Sequence, residues 1–307
     1  MNGITTKQFQ ILTDCQLVWN LLTENHSLYF ETGPAAPFFE YAVTSTWLNK
    51  DYLYRNRFWM DGDRPVAFVF YEAPETSVFF HLRPGYEALA GEMIEYAENM
   101  MPGAIKDKEL VLYPAQTALR AEAEKRGYSL DHKEQEWLLD MDRALLRYPL
   151  PAGFHFVDPL SANVEKLAEC TWKGFDHEDK GPFENWLAPD PGTPWNPQKS
   201  FNGILSSTMA PPPHATYRYN VIIANEREDY VCFSGMWWVK ENRLAYMEPL
   251  CTVPECRKMG LAAAALSRHC EQLRPLGARI MTGGGSDFYR KVGYTHQIWH
   301  EFWKKQG

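Results

Sequence analysis

The same order of secondary structure is predicted twice along this chain of 307 residues. In the C-terminal half, a β-hairpin over 216–239 precedes a strand over 243–253, a helix over 260–273, a short strand, a short helix and a closing strand over 295–304. The N-terminal half repeats this order between residues 57 and 141. Both copies end a helix on a glycine followed by a tyrosine, at Gly127 and Tyr128 and at Gly293 and Tyr294. This repeat predicts two copies of one α/β unit.

The boundary between the two copies is expected near Pro149, where two prolines and a glycine interrupt the periodicity. We therefore predict two domains, 1–146 and 147–307. The length exceeds that of one ordinary core and suits two. The content of 45% hydrophobic and 23% charged residues is that of a globular protein.

Charge and composition exclude several classes of function. The net charge of −8 argues against nucleic acid as a partner. No run of about 18 apolar residues predicts a membrane span, and the first residues lack the apolar core of a signal peptide. Six cysteines without Cys-x-x-Cys spacing indicate reduced thiols and a cytoplasmic location. Cys251 and Cys256 have no partners at metal spacing, so no metal is expected.

A candidate anion site lies in the turn between the predicted strand and the helix that begins at Gly260. The turn directs backbone N–H groups to one point, and the helix dipole adds partial positive charge there. Arg257 can add charge-assisted hydrogen bonds to a phosphate, and a side chain at Gly260 would intrude on a ligand. The turn therefore predicts a pyrophosphate site, with a plain strand–turn–helix and a packing glycine as the alternative.

Pro249 interrupts the strand before this turn. Proline lacks a ladder donor, which predicts a bulge or a splayed strand at that point, with an ordinary strand end as the alternative. Alternation places Leu244, Tyr246, Glu248 and Leu250 on one face of the strand. A carboxylate among apolar neighbours indicates that Glu248 lies either at a site or at a strand edge.

The spacing Arg257-x-x-Gly260-x-Ala262, the proline at 249 and the segment Phe288-Tyr289 resemble the GNAT acetyltransferase superfamily. The resemblance implies an α/β (α+β) fold of two GNAT-like domains. Each would be a mixed, mostly antiparallel sheet with flanking helices and a splayed central strand pair.

The same resemblance implies acetyl-CoA as co-substrate and indicates which residues would bind it. Main-chain groups of Cys251 and Val253, freed by the splay, would bind the pantetheine arm. Tyr289 would protonate the departing CoA thiolate, and Glu248 would act as base, directly or through water; a packing tyrosine and a charged edge residue are the alternatives. Expected cofactor contacts come from Cys251, Thr252, Val253, Arg257, Lys258, Met259, Gly260, Leu261, Ala262 and Phe288.

Two departures from the family pattern stand out. Where many members have an asparagine after the fifth strand, this chain has three glycines, 283–285, which removes one expected cofactor contact; they could admit a ligand closely or form a flexible turn. In the N-terminal copy, Pro84 and Tyr86 occupy positions where the motif needs N–H donors and small residues. We therefore expect a degenerate N-terminal copy.

The resemblance implies an N-acetyltransferase whose acceptor is an amine of a small molecule or a peptide, with no metal, nucleic acid or membrane partner. The alternative is a non-catalytic acyl-CoA-binding sensor or scaffold. A helix over 161–175, capped by Ser161, precedes a long segment, 176–214, rich in acidic and aromatic residues. That segment is a candidate acceptor lid, with a packing or disordered insertion as the alternative. The sequence does not predict the oligomeric state.

Overall fold

The computed structural model describes residues 3–208 and 212–305, with only the backbone of Thr208. The chain forms two compact units. Unit 1 comprises Met1–Val43, Leu48–Glu136 and Ile298–Gly307, and unit 2 comprises Thr44–Trp47 and Trp137–Gln297. The predicted ranges, 1–146 and 147–307, differ from this division mainly in residues 137–146 and 298–307.

Unit 1 is a mixed sheet with helices. Its strands lie in the order β1, β2, β3, β4, β5, β12, β6. β4 and β5 are parallel, whereas β1 with β2, β2 with β3, β3 with β4 and β5 with β12 are antiparallel. The elements are β1 (Ile4–Gln8), α1 (Ile11–Glu24), α2 (Ala36–Thr44), β2 (Arg57–Asp61), β3 (Arg64–Glu72), β4 (Ser77–Leu82), α3 (Ala90–Met100), β5 (Glu109–Leu112), α4 (Thr117–Lys125), β6 (Tyr128–Asp140) and β12 (His296–Lys305).

Unit 2 repeats this pattern. The end of β6 leads a sheet in the order β6, β11, β10, β9, β8, β7, in which β10 and β11 are parallel and their neighbours antiparallel. The elements are β7 (Phe154–Val157), α5 (Val164–Gly174), α6 (Pro197–Thr208), β8 (Val221–Asn225), β9 (Tyr230–Val239), β10 (Leu244–Thr252), α7 (Leu261–Leu273), β11 (Ile280–Thr282) and α8 (Asp287–Val292). Two mixed, mostly antiparallel units with flanking helices confirm the predicted fold class.

The closing strands of the two halves are exchanged. β12, at the end of the chain, pairs with β5 of unit 1, with Glu301 opposite Leu112. The end of β6 instead pairs with β11 of unit 2, with Asp140 opposite Ile280. Each unit is therefore completed by a strand that the sequence order assigns to the other half.

Two hydrophobic clusters hold α7 and α5 in unit 2. α7 is buried along most of its length and packs through Leu266, Cys270 and Leu273 on Ala245 and Met247 of β10. α5 contributes Leu167 and Cys170 to a second cluster with Phe233 and Cys251. α5 begins later than predicted, at Val164: the side chain of Asn163, not Ser161, accepts the capping bond from the Lys166 N–H.

All six cysteines are free thiols, as the sequence predicts. Among residues 3–208 and 212–305, no helix is both long enough and apolar enough to cross a membrane.

Candidate functional site

A bulge interrupts β10 at the predicted proline. Met247 lies opposite Met236 and Leu250 opposite Ser234, so Glu248 and Pro249 together face the single residue Gly235 of β9. The bond between Glu248 and Pro249 is cis. A Cβ on Gly235 would overlap the main-chain oxygen of Glu248 and lie 2.9 Å from Pro249 Cδ. The predicted bulge is confirmed, and a glycine in the neighbouring strand makes room for it.

β10 and β11 diverge at the same level. Their parallel pairing covers only Leu244 with Ile280 and Ala245 with Met281. The Thr282 hydroxyl then accepts a 2.7 Å hydrogen bond from the Met247 N–H, where the next ladder bond would fall. In the described part of the chain, the two strands share no further ladder pair. The predicted splayed strand pair is thus present in unit 2, and Glu248 is the first residue beyond Met247.

Glu248 lies on the sheet face opposite Met247. The Tyr246 hydroxyl donates to its Oε2 at 3.3 Å, which orients the carboxylate. The predicted face also included Leu250. The bulge adds one residue, so Leu250 turns to the other face and packs on the cluster that contains Met247. Glu248 therefore borders the gap between the strands with Tyr246 and without Leu250.

The turn after β10 leaves the start of α7 uncapped. Lys258 and Gly260 have φ angles of 64° and 91°, and Gly260 is the N-cap residue. The first N–H groups of a helix have no partner within it. No side chain of the described residues caps them, so they form a donor site for an anion. A Cβ on Gly260 would meet only Pro151 Cγ, at 3.8 Å. Glycine is therefore needed here for its positive φ, and no neighbouring protein atom crowds the position.

The main-chain groups that face the gap differ from those predicted. The Val253 N–H donates to Val231 O at 3.0 Å, so it is not freed by the splay. Cys251 lies opposite Phe233, two residues along the same ladder. Because neighbouring residues point to alternate edges of a strand, the main chain of Leu250 and Thr252 faces away from β9 instead. The structure thus moves the candidate pantetheine contacts by one residue.

Arg257 does not extend from the turn as an unbound cation. Its Nε donates to Thr252 O at 3.1 Å, and its Nη2 donates to Gly174 O at 3.0 Å and to Asp176 Oδ2 at 2.8 Å. Three hydrogen bonds of the guanidinium are therefore made to the end of α5, to Asp176 and to its own strand.

The first two of the three glycines after β11, Gly283 and Gly284, receive the ring of Tyr289. A Cβ on Gly283 would lie 2.8 Å from Tyr289 Cδ1, and one on Gly284 would lie 3.0 Å from Tyr289 Cε2. Tyr294 supports the ring at a centroid distance of 5.1 Å and donates its hydroxyl to Thr282 O at 3.1 Å. Gly283 and Gly284 thus position an aromatic ring directly after β11, a contact that the sequence did not predict.

Phe288 precedes Tyr289 at the start of α8. Its N–H donates to the Ser286 hydroxyl, which caps the helix, and its ring contacts Tyr289 at 5.3 Å. Tyr289 thus lies on the glycines that follow β11, and Glu248 follows Met247, the residue of β10 that Thr282 contacts.

Sequence reasoning missed His269 and Ser234 beneath this site. His269 of α7 contacts the Ser234 hydroxyl of β9 through Nε2 at 2.8 Å, and both side chains are fully buried. Burial lowers the pKa of His269 to about 3, so the imidazole is neutral. The pair ties the candidate CoA-binding helix to β9, the strand that pairs with the bulged strand β10. A glycine inside a strand pattern, Gly235, was a signal that could have located this region.

Residues 176–208, called here the aromatic segment, are ordered and packed on α5. Phe183 is buried against Ala168 and Trp172 of α5. Trp186 stacks on Phe201 at a centroid distance of 4.1 Å. His177 contacts Trp172 at 5.1 Å and Trp195 at 4.9 Å. The segment is thus an integral layer of unit 2; residues 209–211 of the predicted lid lie outside the described residues.

The matching turn in unit 1 is already occupied. The Glu87 carboxylate accepts the Gly85 N–H at 2.8 Å, and this bond lowers the pKa of Glu87. The N–H groups of Tyr86 and Leu89 donate to Arg83 O and Tyr86 O. A carboxylate at this position repels a phosphate, which gives a physical basis for the predicted degeneracy of this turn.

The gap beyond the paired part of β4 and β5 is filled by the chain itself. The Gln116 amide donates to Phe80 O at 2.7 Å and to Thr32 O at 3.0 Å. Its oxygen accepts the Tyr113 N–H. A Cβ on Gly33 would come within 3.4 Å of Phe80 O. The β4 carbonyl in this gap is therefore satisfied within unit 1.

In the part of the chain that the structure describes, one group of residues has metal-ligand chemistry. Ligand atoms of Glu109, Asp131 and His132 lie within 4.8 Å of one another. The Lys304 ammonium lies 2.9 Å from Glu109 and 3.7 Å from Asp131. This group therefore already holds a cation of the chain.

Solved structures with the same architecture exist. One is a tandem GNAT protein from the clavulanic acid biosynthesis pathway, with 14% identity, a TM-score of 0.55 and 99% of each chain covered. Another is a GCN5-related N-acetyltransferase from Sphaerobacter thermophilus, with 15% identity, a TM-score of 0.53, and coverage of 100% of this chain and 98% of that one. No protein-family model and no curated protein match the sequence. The fold of this chain is that of tandem GNAT proteins, two GNAT-like units in one chain.

Proposed function

We propose that this protein is an N-acetyltransferase that moves an acetyl group from acetyl-CoA to an amine, with the chemistry in unit 2. One observation carries the proposal: the divergence of β10 and β11 leads, within one turn of chain, to an uncapped helix N-terminus. The gap between the strands would take the acyl group and the extended pantetheine arm. The helix N-terminus that follows it would take the pyrophosphate, so the two sites occur in the same order as these groups in acetyl-CoA. The tandem GNAT fold supports the same assignment.

The co-substrate would lie along β10 with its pyrophosphate on the turn. The N–H groups between Lys258 and Ala262 would bind the phosphates, assisted by the helix dipole. The main chain of Leu250 and Thr252, which faces away from β9, would hydrogen-bond the pantetheine arm as an added strand does. Cys251, Val253, Met259, Leu261 and Phe288 would complete the walls.

The acid and the base would stand at the point of divergence. Glu248, held by Tyr246, would accept the proton of the acceptor ammonium directly or through water. The amine would then attack the thioester, and Tyr289 would give its proton to the departing thiolate. Tyrosine is one of the side chains that serve as general acids in such proton transfers. Positioning of the two substrates would supply much of the rate enhancement.

The acceptor would be an amine of a small molecule or a peptide, approaching from the face that carries Glu248. The aromatic segment packs on α5, and its Asp176, Glu178, Asp179 and Glu184 are exposed. Together with the net charge of −8, this favours a cationic acceptor over a nucleic acid. No metal or covalent enzyme intermediate is required by this route.

Release of free thiol from acetyl-CoA, measured with a panel of amines, tests the proposal. We expect amine-dependent release by the native chain and a loss of about 100-fold or more in Tyr289→Phe, the usual size of a lost general acid. Tyr86→Phe, at a partly exposed tyrosine of unit 1, is the matched control and should retain the native rate. Binding of acetyl-CoA without thiol release from any amine would contradict the enzyme and favour an acyl-CoA-binding scaffold.

A further inference from the structure

Arg257 joins two parts of unit 2 that are 81 residues apart in sequence. It begins the turn that would bind the pyrophosphate, and its guanidinium contacts Gly174 and Asp176, where α5 ends and the aromatic segment begins. A guanidinium has five N–H donors, one on Nε and two on each terminal nitrogen. Three of them are used by Thr252, Gly174 and Asp176, so the edge formed by Nε and Nη2 is fully committed.

The contacts of Arg257 hold the end of α5 and the start of the aromatic segment against the turn. The Gly174 carbonyl belongs to the last turn of α5, where a cation is stabilised by the helix dipole. Asp176 has a left-handed φ of 57°, and its carboxylate receives a charge-assisted bond from Arg257. The start of the aromatic segment is therefore fixed to the turn through one side chain.

The end of α5 also lies directly on the candidate pantetheine strand. A Cβ on Gly174 would lie 2.8 Å from Cys251 Sγ and 3.4 Å from the Thr252 nitrogen. Movement of this helix end would therefore disturb the main chain of β10 at the residues that would bind the arm. His177 follows Asp176 directly, and its ring contacts Trp172 of α5 and Trp195 of the aromatic segment.

We propose that Arg257 is a positioning residue that couples acetyl-CoA binding to the placement of the aromatic segment, rather than a direct ligand of the phosphates. The inference rests on the proposed function, because it assumes that acetyl-CoA binds this turn. Its distinctive consequence is that Asp176, which is on a different element from the turn, contributes to acetyl-CoA affinity only through Arg257.

A double-mutant cycle on acetyl-CoA affinity tests this by calorimetry. We expect Arg257→Gln to weaken binding about 10-fold and Asp176→Asn about 3-fold, the range for charge-assisted bonds at a partly exposed site. The double variant should bind about as weakly as Arg257→Gln alone, because the two residues act as one unit. Arg268→Gln and Glu271→Gln, which remove another exposed Arg–Glu pair in unit 2, are the matched controls and should stay within about 2-fold of native affinity.

Deuterium exchange of residues 174–187, compared with exchange in the rest of unit 2, supplies a second measurement. Acetyl-CoA should slow exchange there in the native chain and not in Asp176→Asn. The inference is overturned if Asp176→Asn leaves the affinity and the acetyl-CoA-dependent protection unchanged, or if the effects of the two substitutions multiply. Absence of any acetyl-CoA binding by the native chain would instead overturn the proposed function, and the inference with it.

Discussion

Gly235 of β9 lies directly against the main-chain carbonyl of Glu248, and no residue with a Cβ fits in its place. Its φ is outside the left-handed region, so the constraint is entirely steric. We predict that Gly235→Ala displaces the bulge, costs about 1–3 kcal/mol of stability and lowers acetyl transfer.

Urea unfolding and amine-dependent thiol release check this prediction. Gly91→Ala in α3 is the control: the added methyl meets only a Glu122 side chain at 3.4 Å or beyond, and alanine favours a helix. Native stability and rate in Gly235→Ala would show that the bulge is not required.

The contact between Gly284 and Tyr289 allows the proposed role of Tyr289 to be tested by a variant that keeps its hydroxyl. An added methyl at 284 would lie 3.0 Å from the ring and push it by a few tenths of an ångström or more. We predict that Gly284→Ala lowers turnover roughly 10- to 100-fold, because misplacement of a reacting group is costly. Acetyl-CoA affinity should change by less than about 2-fold. Steady-state kinetics beside calorimetry separate the two effects, and an unchanged turnover number would remove Tyr289 from the proposed mechanism.

Buried histidines make stability depend on pH. Burial lowers the pKa of His269 and His81 to about 3 and that of His26 to about 4. In the unfolded chain these histidines have ordinary pKa values near 6.5. Between the folded and the unfolded pKa values, the unfolded chain binds more protons than the folded chain, so stability falls as pH falls below about 6.5. Each histidine should remove about 1.4 kcal/mol between about pH 7.5 and 5.5.

Urea unfolding at these two pH values measures the effect. His269→Gln can still reach Ser234 and does not titrate, so it should lose about one third of the combined pH effect of the three histidines. The same pH dependence in native chain and variant would show that His269 is not buried as a neutral group.

Gln116 should stabilise unit 1 without affecting the co-substrate. It makes three hydrogen bonds to main-chain atoms while almost fully buried. Gln116→Ala leaves the Phe80 carbonyl without its partner, and we predict a loss of about 1–3 kcal/mol. The affinity for acetyl-CoA should stay native, since the site is assigned to unit 2. A selective loss of affinity without loss of stability would contradict that assignment.

Local signals in the sequence were sufficient to predict the repeat, the bulge in β10 and the start of α7. Pro249 predicts a break in the ladder because it lacks a donor, and the structure has the bulge there. The Gly260 turn predicts an open helix N-terminus, which the structure also has. These features depend on the conformational limits of single residues.

Long-range contacts could not be predicted in this way. The exchange of β12 and the end of β6 depends on which strand edge is available after folding, and both strands have similar alternation. The contact of Arg257 with Asp176, the fit of Tyr289 on two glycines and the one-residue shift caused by the bulge depend on distances between elements remote in sequence. A sequence pattern names such residues without showing what each one contacts.

Binding of acetyl-CoA at the turn before α7 is tested by calorimetric titration of the native chain, Gly260→Glu and Gly85→Glu. Both glycines have a φ near 90°, and an added Cβ would have no contact at Gly85 and one ordinary contact at Gly260, so the two variants carry similar backbone strain. Only the first places a carboxylate at the uncapped start of α7. We expect one acetyl-CoA per chain, with binding retained in Gly85→Glu and lost in Gly260→Glu. Two equivalents per chain, no binding, or loss of binding in Gly85→Glu alone would contradict this expectation.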